Sequence, residues 1–371
     1  MKTRIERLKM LRVGIIGTGL IAHSHAQGVK DNSASAKITA VCDINPKQIE
    51  KFLADTGLTD VKTYTDYREM IESEDLDLVS ICTSNCTHKE IAVFAAEHKK
   101  NILCEKPVGL DSAEVSEIAE ACRKNQVINL TGFTYRRIPA VAEIKKIIDQ
   151  GLLGRIYHYR GRFYADRMAA PDHEIEWRHK ENEAGSGTLG DLGSHLLDMG
   201  LYLLSGQCHK VTDVYADARI YIPERKNLDT GEMEKVTSDD CCDIIAHFED
   251  GTEMNLETTR YAPFEVEFHI TGEKGAIRYN LLKYDEFELM LYSSPANYFH
   301  TYRTVTVDSP VICGKKISTD RMSRQYAYLL NCIKNGEKAH PDIGETVYIQ
   351  QLLDAMKQSY KEERKIFLSQ D

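Results

Sequence analysis

The chain has 371 residues, more than twice the roughly 150 of a typical domain, so two domains are expected. Its formal net charge is −10, with the acidic residues scattered, which excludes the basic stripe that a nucleic-acid scaffold needs. Hydrophobic residues at 42% and charged residues at 28% describe a globular protein, and no apolar run reaches the ~18 residues of a membrane span.

The opening MKTRIERLKM is basic but lacks the apolar stretch and small-residue cleavage site of a signal peptide. The cysteines, Cys42, Cys82, Cys86, Cys104, Cys122, Cys208, Cys241, Cys242, Cys313 and Cys332, form no CxxC pair. Several stand inside apolar β-like runs, where Cys behaves as a small hydrophobe. A reduced, cytoplasmic protein with neither a disulfide framework nor a metal site is expected.

From residue 11 to about 131, short apolar runs alternate with helix-like segments, the pattern of a parallel sheet with crossover helices. LRVGII, KITAVCD, LDLVSIC, NILCEK and VINLTG read as strands; HKEIAVFAAEHKK and SAEVSEIAEACRKN carry apolar residues at helical spacing. The strand runs are almost wholly apolar, as when helices cover both faces.

Beyond residue 132 the texture changes. AVAEIKKIIDQ reads as a helix ending at Gly151, and IYHYRGRFYAD alternates like a half-exposed strand. From about 211 to 308 successive β segments follow, with CDIIAHF and TEMNLETTRY joined in a hairpin at Glu249-Asp250-Gly251. Two helices, roughly 320–335 and 345–364, close the sequence. The fold class expected is an α/β Rossmann domain, a doubly wound parallel sheet at 1–132, followed by an α+β domain with a large, mainly antiparallel open sheet at 133–371.

Gly17-Thr18-Gly19-Leu20-Ile21-Ala22 lies directly after a strand and before a helix. The first glycine permits the tight turn, the second lets backbone approach a pyrophosphate, and Ala22 allows close helix–strand packing. Asp43 ends the next strand, where a carboxylate accepts hydrogen bonds from ribose hydroxyls and repels a 2′-phosphate, favouring NAD over NADP. Thr83, Ser84, Asn85 and His88 follow another buried strand, at the sheet edge where open α/β folds bind ligands. Thr87 there serves equally well as a helix N-cap.

Glu105-Lys106-Pro107 follows the strand NILC, so Lys106 emerges at the edge that carries the glycine-rich turn; on spacing alone it reads equally as a solvated charge. In Gly185-Ser186-Gly187-Thr188-Leu189-Gly190-Asp191-Leu192-Gly193-Ser194-His195, Asp191 and His195 are four apart and share one face of a helix. Neutral His suits removal of a hydroxyl proton at physiological pH, and Asp191 can orient it, bind a substrate hydroxyl or favour the helix end. A capped helix with a core histidine is the structural alternative.

The ordered set GTGLIA, CDINP, SNCTH, EKP, Trp177-Arg178 and AGSGTLGDLGSH resembles the Gfo/Idh/MocA family of sugar and polyol oxidoreductases across nearly the whole chain. Within that family the segment from Trp177 through residue 200, with the later VTSDD, is most similar to levoglucosan dehydrogenase, inositol dehydrogenases and glycoside 3-oxidising members. The resemblance implies a C-terminal domain that binds substrate and whose open sheet forms a homodimer or homotetramer. It assigns Lys106 to nicotinamide-ribose and substrate contact, Asp191 and His195 to the substrate pocket with His195 as acid/base, and Trp177 and Arg178 to the nicotinamide. Cofactor contacts are thus expected at Gly17, Gly19, Leu20, Ile21, Asp43, Thr83, Ser84, Asn85, His88, Glu105, Lys106, Trp177 and Arg178. Tyr135, Arg136, Arg160 and Arg162 are further substrate candidates: Tyr135 and Arg136 follow the strand VINLTG and exit at the ligand edge, while Arg160 and Arg162 read equally as surface residues of the sheet.

NAD-dependent oxidation of a ring hydroxyl of a sugar, cyclitol or glycoside, at C3 of a glucoside for example, is the function expected. A small carbohydrate is the partner, with no nucleic acid and no membrane. An enzyme that retains NAD and cleaves glycosides by transient oxidation and elimination is one alternative, and a non-catalytic sugar or dinucleotide sensor is another. The joint presence of Lys106, Asp191 and His195 argues against the sensor, which has no use for a proton-transfer set.

Overall fold

The computed structural model describes residues 10–206, 210–292, 300–308, 311–312, 315–316 and 321–368. The basic segment before Met10, Cys208 and Cys313 lie outside them. The chain divides into two units, residues 1–134 with 311–350 and residues 135–310 with 351–371.

In the first unit six strands lie parallel: β1 (Leu11–Ile16), β2 (Ala36–Cys42), β3 (Lys62–Tyr64), β4 (Leu78–Ile81), β5 (Asn101–Cys104) and β6 (Asn129–Thr131), in the order β3-β2-β1-β4-β5-β6. Helices α1 (Leu20–Asp31) and α2 (Pro46–Thr56) cover one face; α3 (Tyr67–Ser73), α4 (His88–Glu97) and α5 (Ser112–Asn125) cover the other. All four residues of β4 are therefore buried. Local sequence starts and stops the helices: Asn45 accepts from Lys47 N ahead of α2, and Asp111 accepts from Glu114 N ahead of α5. The strand order reverses between β1 and β4, the switch point where sheets of this topology bind ligands. Cys42, Cys82 and Cys104 are buried at the ends of β2, β4 and β5, and burial foremost raises their thiols far above the usual range, Cys42 to about 12.

The second unit starts with α6 (Pro139–Asp149) and β7 (Ile156–Tyr164), and continues through α7 (Glu181–Ala184), α8 (Ser194–Leu204) and β8 (Val211–Arg219). A separate ribbon of β9 (Glu224–Lys226) and β10 (Met233–Lys235) follows, then β11 (Cys241–Phe248), β12 (Glu253–Thr259), β13 (Glu265–Gly272), β14 (Gly275–Asn280), β15 (Glu286–Leu291) and β16 (Arg303–Thr306). The sheet runs β16-β15-β14-β13-β7-β12-β11-β8, antiparallel except where β12 pairs with β7. The Asp-Gly hairpin joins β11 to β12 with Gly251 at φ +85°. Burial alternates strictly along β12 and β13, so one face is core and the other is open. Helix α8 lies on the core face, so close that a Cβ on Gly200 would stand 2.5 Å from Met254 Cε.

A short ribbon, β17 (Val311–Ile312) with β18 (Lys315–Lys316), precedes α9 (Arg321–Asn335). Met322, Tyr326, Leu329 and Leu330 of α9 complete the apolar cluster built on α1, β1 and β2, so a late segment finishes the N-terminal core. Helix α10 (Ile343–Glu362) and β19 (Ile366–Phe367) follow, and β19 adds to the sheet beside β8 as its ninth strand.

Candidate active site

Gly17 adopts φ +85°, and a Cβ there would meet the Cys82 backbone at 2.8 Å, so only glycine serves. A Cβ on Gly19 would meet nothing within 4 Å, so the backbone opening α1 is accessible to a ligand. Gly19 is the N-cap without a side-chain capping bond, and Leu20, 77% exposed, and Ile21 form the first turn. The helix thus offers backbone N–H groups and its positive end. Asp43 faces this turn: its Oδ2 accepts from Thr18 N at 2.8 Å and Thr18 Oγ1 at 2.9 Å, and its Oδ1 accepts from Asn45 N at 2.9 Å.

After β4, Thr83 and Ser84 are half-buried, and Asn85 is buried in a 3-10 turn. Thr87 occupies the N-cap position of α4, but its hydroxyl turns back to Thr83 Oγ1 and Ser84 O and makes no capping bond. His88 is fully buried, its ring between Pro107 O at 2.9 Å and Thr83 O at 3.2 Å. It ties two strand-end loops together. The Glu105 carboxylate is also buried and bonded to His25 Nε2 at 2.9 Å. Burial pushes its pKa up, yet the His25 bond and Lys106 outweigh it and hold the group below the usual carboxylate range. Lys106 beside it is half-buried.

In the second unit, Leu189–Gly193 form one widened turn of π-helix that leads directly into α8, placing Asp191 inside the turn and His195 just beyond it. Such turns recur at functional sites. The turn is fixed by Asp239, a buried carboxylate from a remote segment that accepts from Gly187 N (2.6 Å), Thr188 Oγ1 (2.8 Å) and Leu189 N (2.8 Å). Tyr135 stacks on His195 with ring centroids 4.6 Å apart, and Phe163 lies 6.0 Å from the same imidazole. The next residue, Arg136, forms a buried ion pair with Asp198, three residues along α8 from His195.

Asp191 lies 3.6 Å from Arg178 Nε, and the Arg178 guanidinium stands 4.3 Å over the Trp177 ring. Glu176 supports this turn, accepting from Arg167 at 2.7 and 2.9 Å and bonding His173 at 2.9 Å. Although burial pushes the other way, Arg167, His173 and Arg178 lower the Glu176 pKa to about 2.

Two family models match the chain: the oxidoreductase family with NAD-binding Rossmann fold, Gfo/Idh/MocA, over residues 11–133, and the Gfo/Idh/MocA C-terminal domain over residues 141–278. Levoglucosan dehydrogenase of Pseudarthrobacter phenanthrenivorans is 31% identical over 312 residues, 78% of each chain. The chain belongs to the Gfo/Idh/MocA family. Myo-inositol 2-dehydrogenase of Thermotoga maritima is 28% identical over 72% of this chain and 74% of the relative, and glucose-6-phosphate 3-dehydrogenase of Bacillus subtilis is 29% identical over 73% and 75%. A solved levoglucosan dehydrogenase in complex with NADH and L-sorbose matches with a TM-score of 0.88 and 28% identity, covering 98% of this chain and all of that one.

As a Gfo/Idh/MocA member the protein is an oxidoreductase with an NAD-binding Rossmann domain, and the residues present fit the dinucleotide. The glycine-only turn, the open backbone at Gly19, the free helix start and the acid at the end of β2 are the features such a ligand needs. Arg160 is exposed on β7, three residues from Phe163, and therefore on the sheet face opposite the one that meets His195. His25, Phe163, Glu176 and Asp239 shape these groups but were not among the sequence candidates; only the adjacent acids of VTSDD give a sequence signal for one of them. No helix among the described residues is long and apolar enough to cross a membrane.

Proposed function

We propose that the protein oxidises one ring hydroxyl of a sugar, cyclitol or glycoside to a ketone. The observation that carries this reading is His195, stacked by Tyr135 and one turn from Asp191, in a chain whose relatives bear the names of sugar and cyclitol dehydrogenases. Bound NAD supplies the acceptor for the hydride that leaves the carbinol carbon. His195 takes the hydroxyl proton as general base, while Asp191 receives a neighbouring hydroxyl and keeps the substrate in register. Lys106 donates to the reacting oxygen and favours its deprotonation. Asp43 accepts from the adenosine ribose and disfavours a 2′-phosphate, so NAD is preferred over NADP.

The same reading seats a second copy on the open face of the nine-stranded sheet, where Tyr215 and Ile245 stand exposed in one row with Arg160. Light scattering showing a monomer would remove that part. For the activity, inositols, glucose, anhydrosugars and aryl glucosides are mixed with NAD or NADP and NADH or NADPH formation is followed. NADH with at least one polyol is expected; glycoside cleavage without net NADH release would replace dehydrogenation with elimination chemistry.

A further inference from the structure

Beneath the Glu105-Lys106 turn lies a buried chain of four polar side chains. Ser80 Oγ lies 2.5 Å from Tyr326 Oη, Tyr326 Oη 3.0 Å from His25 Nδ1, and His25 Nε2 2.9 Å from Glu105 Oε1. Ser80, Tyr326 and His25 have no exposed surface, and Glu105 retains 8%. Four separate elements, β4, α9, α1 and the end of β5, supply one member each.

The chemistry constrains the chain. A carboxylate only accepts, so His25 Nε2–H donates to Glu105 whatever the charge on the ring. Tyr326 Oη is then satisfied on both sides: it donates to a neutral His25 and accepts from Ser80, or accepts from a charged His25 and donates to Ser80. The second carboxylate oxygen, Oε2, accepts from Lys106 N at 3.3 Å. The carboxylate has little room to turn, because a Cβ on Gly132 would stand 2.9 Å from Oε1.

Tyr326 is equally confined. Its ring occupies the space a side chain on Gly28 would need, a Cβ there falling 2.6 Å from Tyr326 Cδ2. Helix α9 is keyed to its neighbours by Gln325 Nε2 donating to Thr131 O at 2.9 Å and by Ser323 Oγ donating to Asp31 Oδ2 at 2.6 Å. A buried ion could be satisfied more simply; a chain of four fixes direction as well as charge, which is what outer-shell partners do for a working group.

We propose that Tyr326 and His25 are positioning residues for Lys106, acting through the Glu105 carboxylate that holds the Lys106 backbone at the end of β5. This rests on the reading of Lys106 as a substrate-contact residue, and the test separates the two. Tyr326→Phe keeps the ring against Gly28 and removes only the hydroxyl. It is expected to lower kcat about tenfold, with KM for NAD nearly unchanged and the thermal midpoint close to wild type. His25→Gln, whose amide can donate to Glu105 and accept from Tyr326, should keep more activity than His25→Ala.

Nitrogen NMR of histidine-labelled protein gives a readout apart from turnover: the His25 signal, assigned by its loss in His25→Gln, should shift in Tyr326→Phe. If Lys106→Ala is inactive while Tyr326→Phe and His25→Ala both turn over like wild type, the positioning role is wrong and Lys106 stands. If Lys106→Ala retains full activity, the reading of Lys106 fails and this proposal with it. Should Tyr326→Phe not fold, the comparison of His25→Gln with His25→Ala decides: equal kcat in the two would overturn the proposal.

Discussion

Tyr135 lies over the His195 imidazole, with ring planes 20° from parallel. Its neighbour Arg136 grips Asp198 on the same helix, so two consecutive residues hold α8 at the histidine and one turn beyond. Tyr135→Ala removes a buried aromatic ring and should cost about 3–5 kcal/mol of stability. It should also lower kcat, because the imidazole loses its stacking partner. Tyr135→Phe keeps the stack and should keep most of that stability. Denaturant unfolding beside steady-state kinetics checks this, and a Tyr135→Ala enzyme with unchanged kcat would deny the stack any part in turnover.

Asp239 binds two backbone N–H groups and a hydroxyl of the segment leading into the Asp191 turn. Asp239→Ala leaves these buried donors without an acceptor, at about 1–3 kcal/mol each. A fall in unfolding free energy of roughly 3 kcal/mol or more is expected, with activity lost at temperatures where the variant remains folded. Asp239→Asn, which retains one acceptor oxygen, should fall between. Equal denaturation midpoints for Asp239→Ala and wild type would contradict this.

In the proposed function Asp43 separates the two dinucleotides by charge more than by shape. Asp43→Asn retains an oxygen for Thr18 while removing the negative charge. The ratio of kcat/KM for NAD over NADP should exceed about ten in the wild type and fall at least about tenfold in the variant. A wild type that prefers NADP would show that the carboxylate does not select.

Acid should unfold the protein through two identifiable groups. Burial foremost, then Arg260 and Arg225, lower the His179 pKa to about 3. In the unfolded chain histidine takes up a proton near pH 6.5, so folded stability is complete above that pH and declines as pH falls toward 3, at up to about 1.4 kcal/mol per pH unit. Glu176, with its pKa at about 2, contributes stability that is full above its unfolded value near 4.3 and is lost as pH falls toward 2. Thermal midpoints between pH 7 and pH 4 should therefore fall in the wild type and less steeply in His179→Gln. Parallel curves would exclude His179 as the source.

The glycine turn and the β-α alternation were legible because each rests on local chemistry: Gly17 on a positive φ, LRVGII on burial of both faces. Strand β3 carried no such mark, since Lys62 and Thr63 are exposed and the strand is three residues long. The alternation of β7 was legible, but which of its faces meets His195 is decided by where α8 packs, and nothing within the strand shows that. Helix α9 announced an apolar stripe without naming its destination. Tyr326 beside His25, 301 residues apart in sequence, follows from chain path alone.

In the proposed reaction His195 removes the proton while NAD accepts the hydride. The direct measurement is NADH formation by wild type and His195→Ala on the best polyol from the substrate panel, with NADH binding followed by fluorescence in both. His195→Ala should lose about a hundredfold or more in kcat while binding NADH as the wild type does. A variant that keeps most of its turnover would contradict the assignment of His195 as the base.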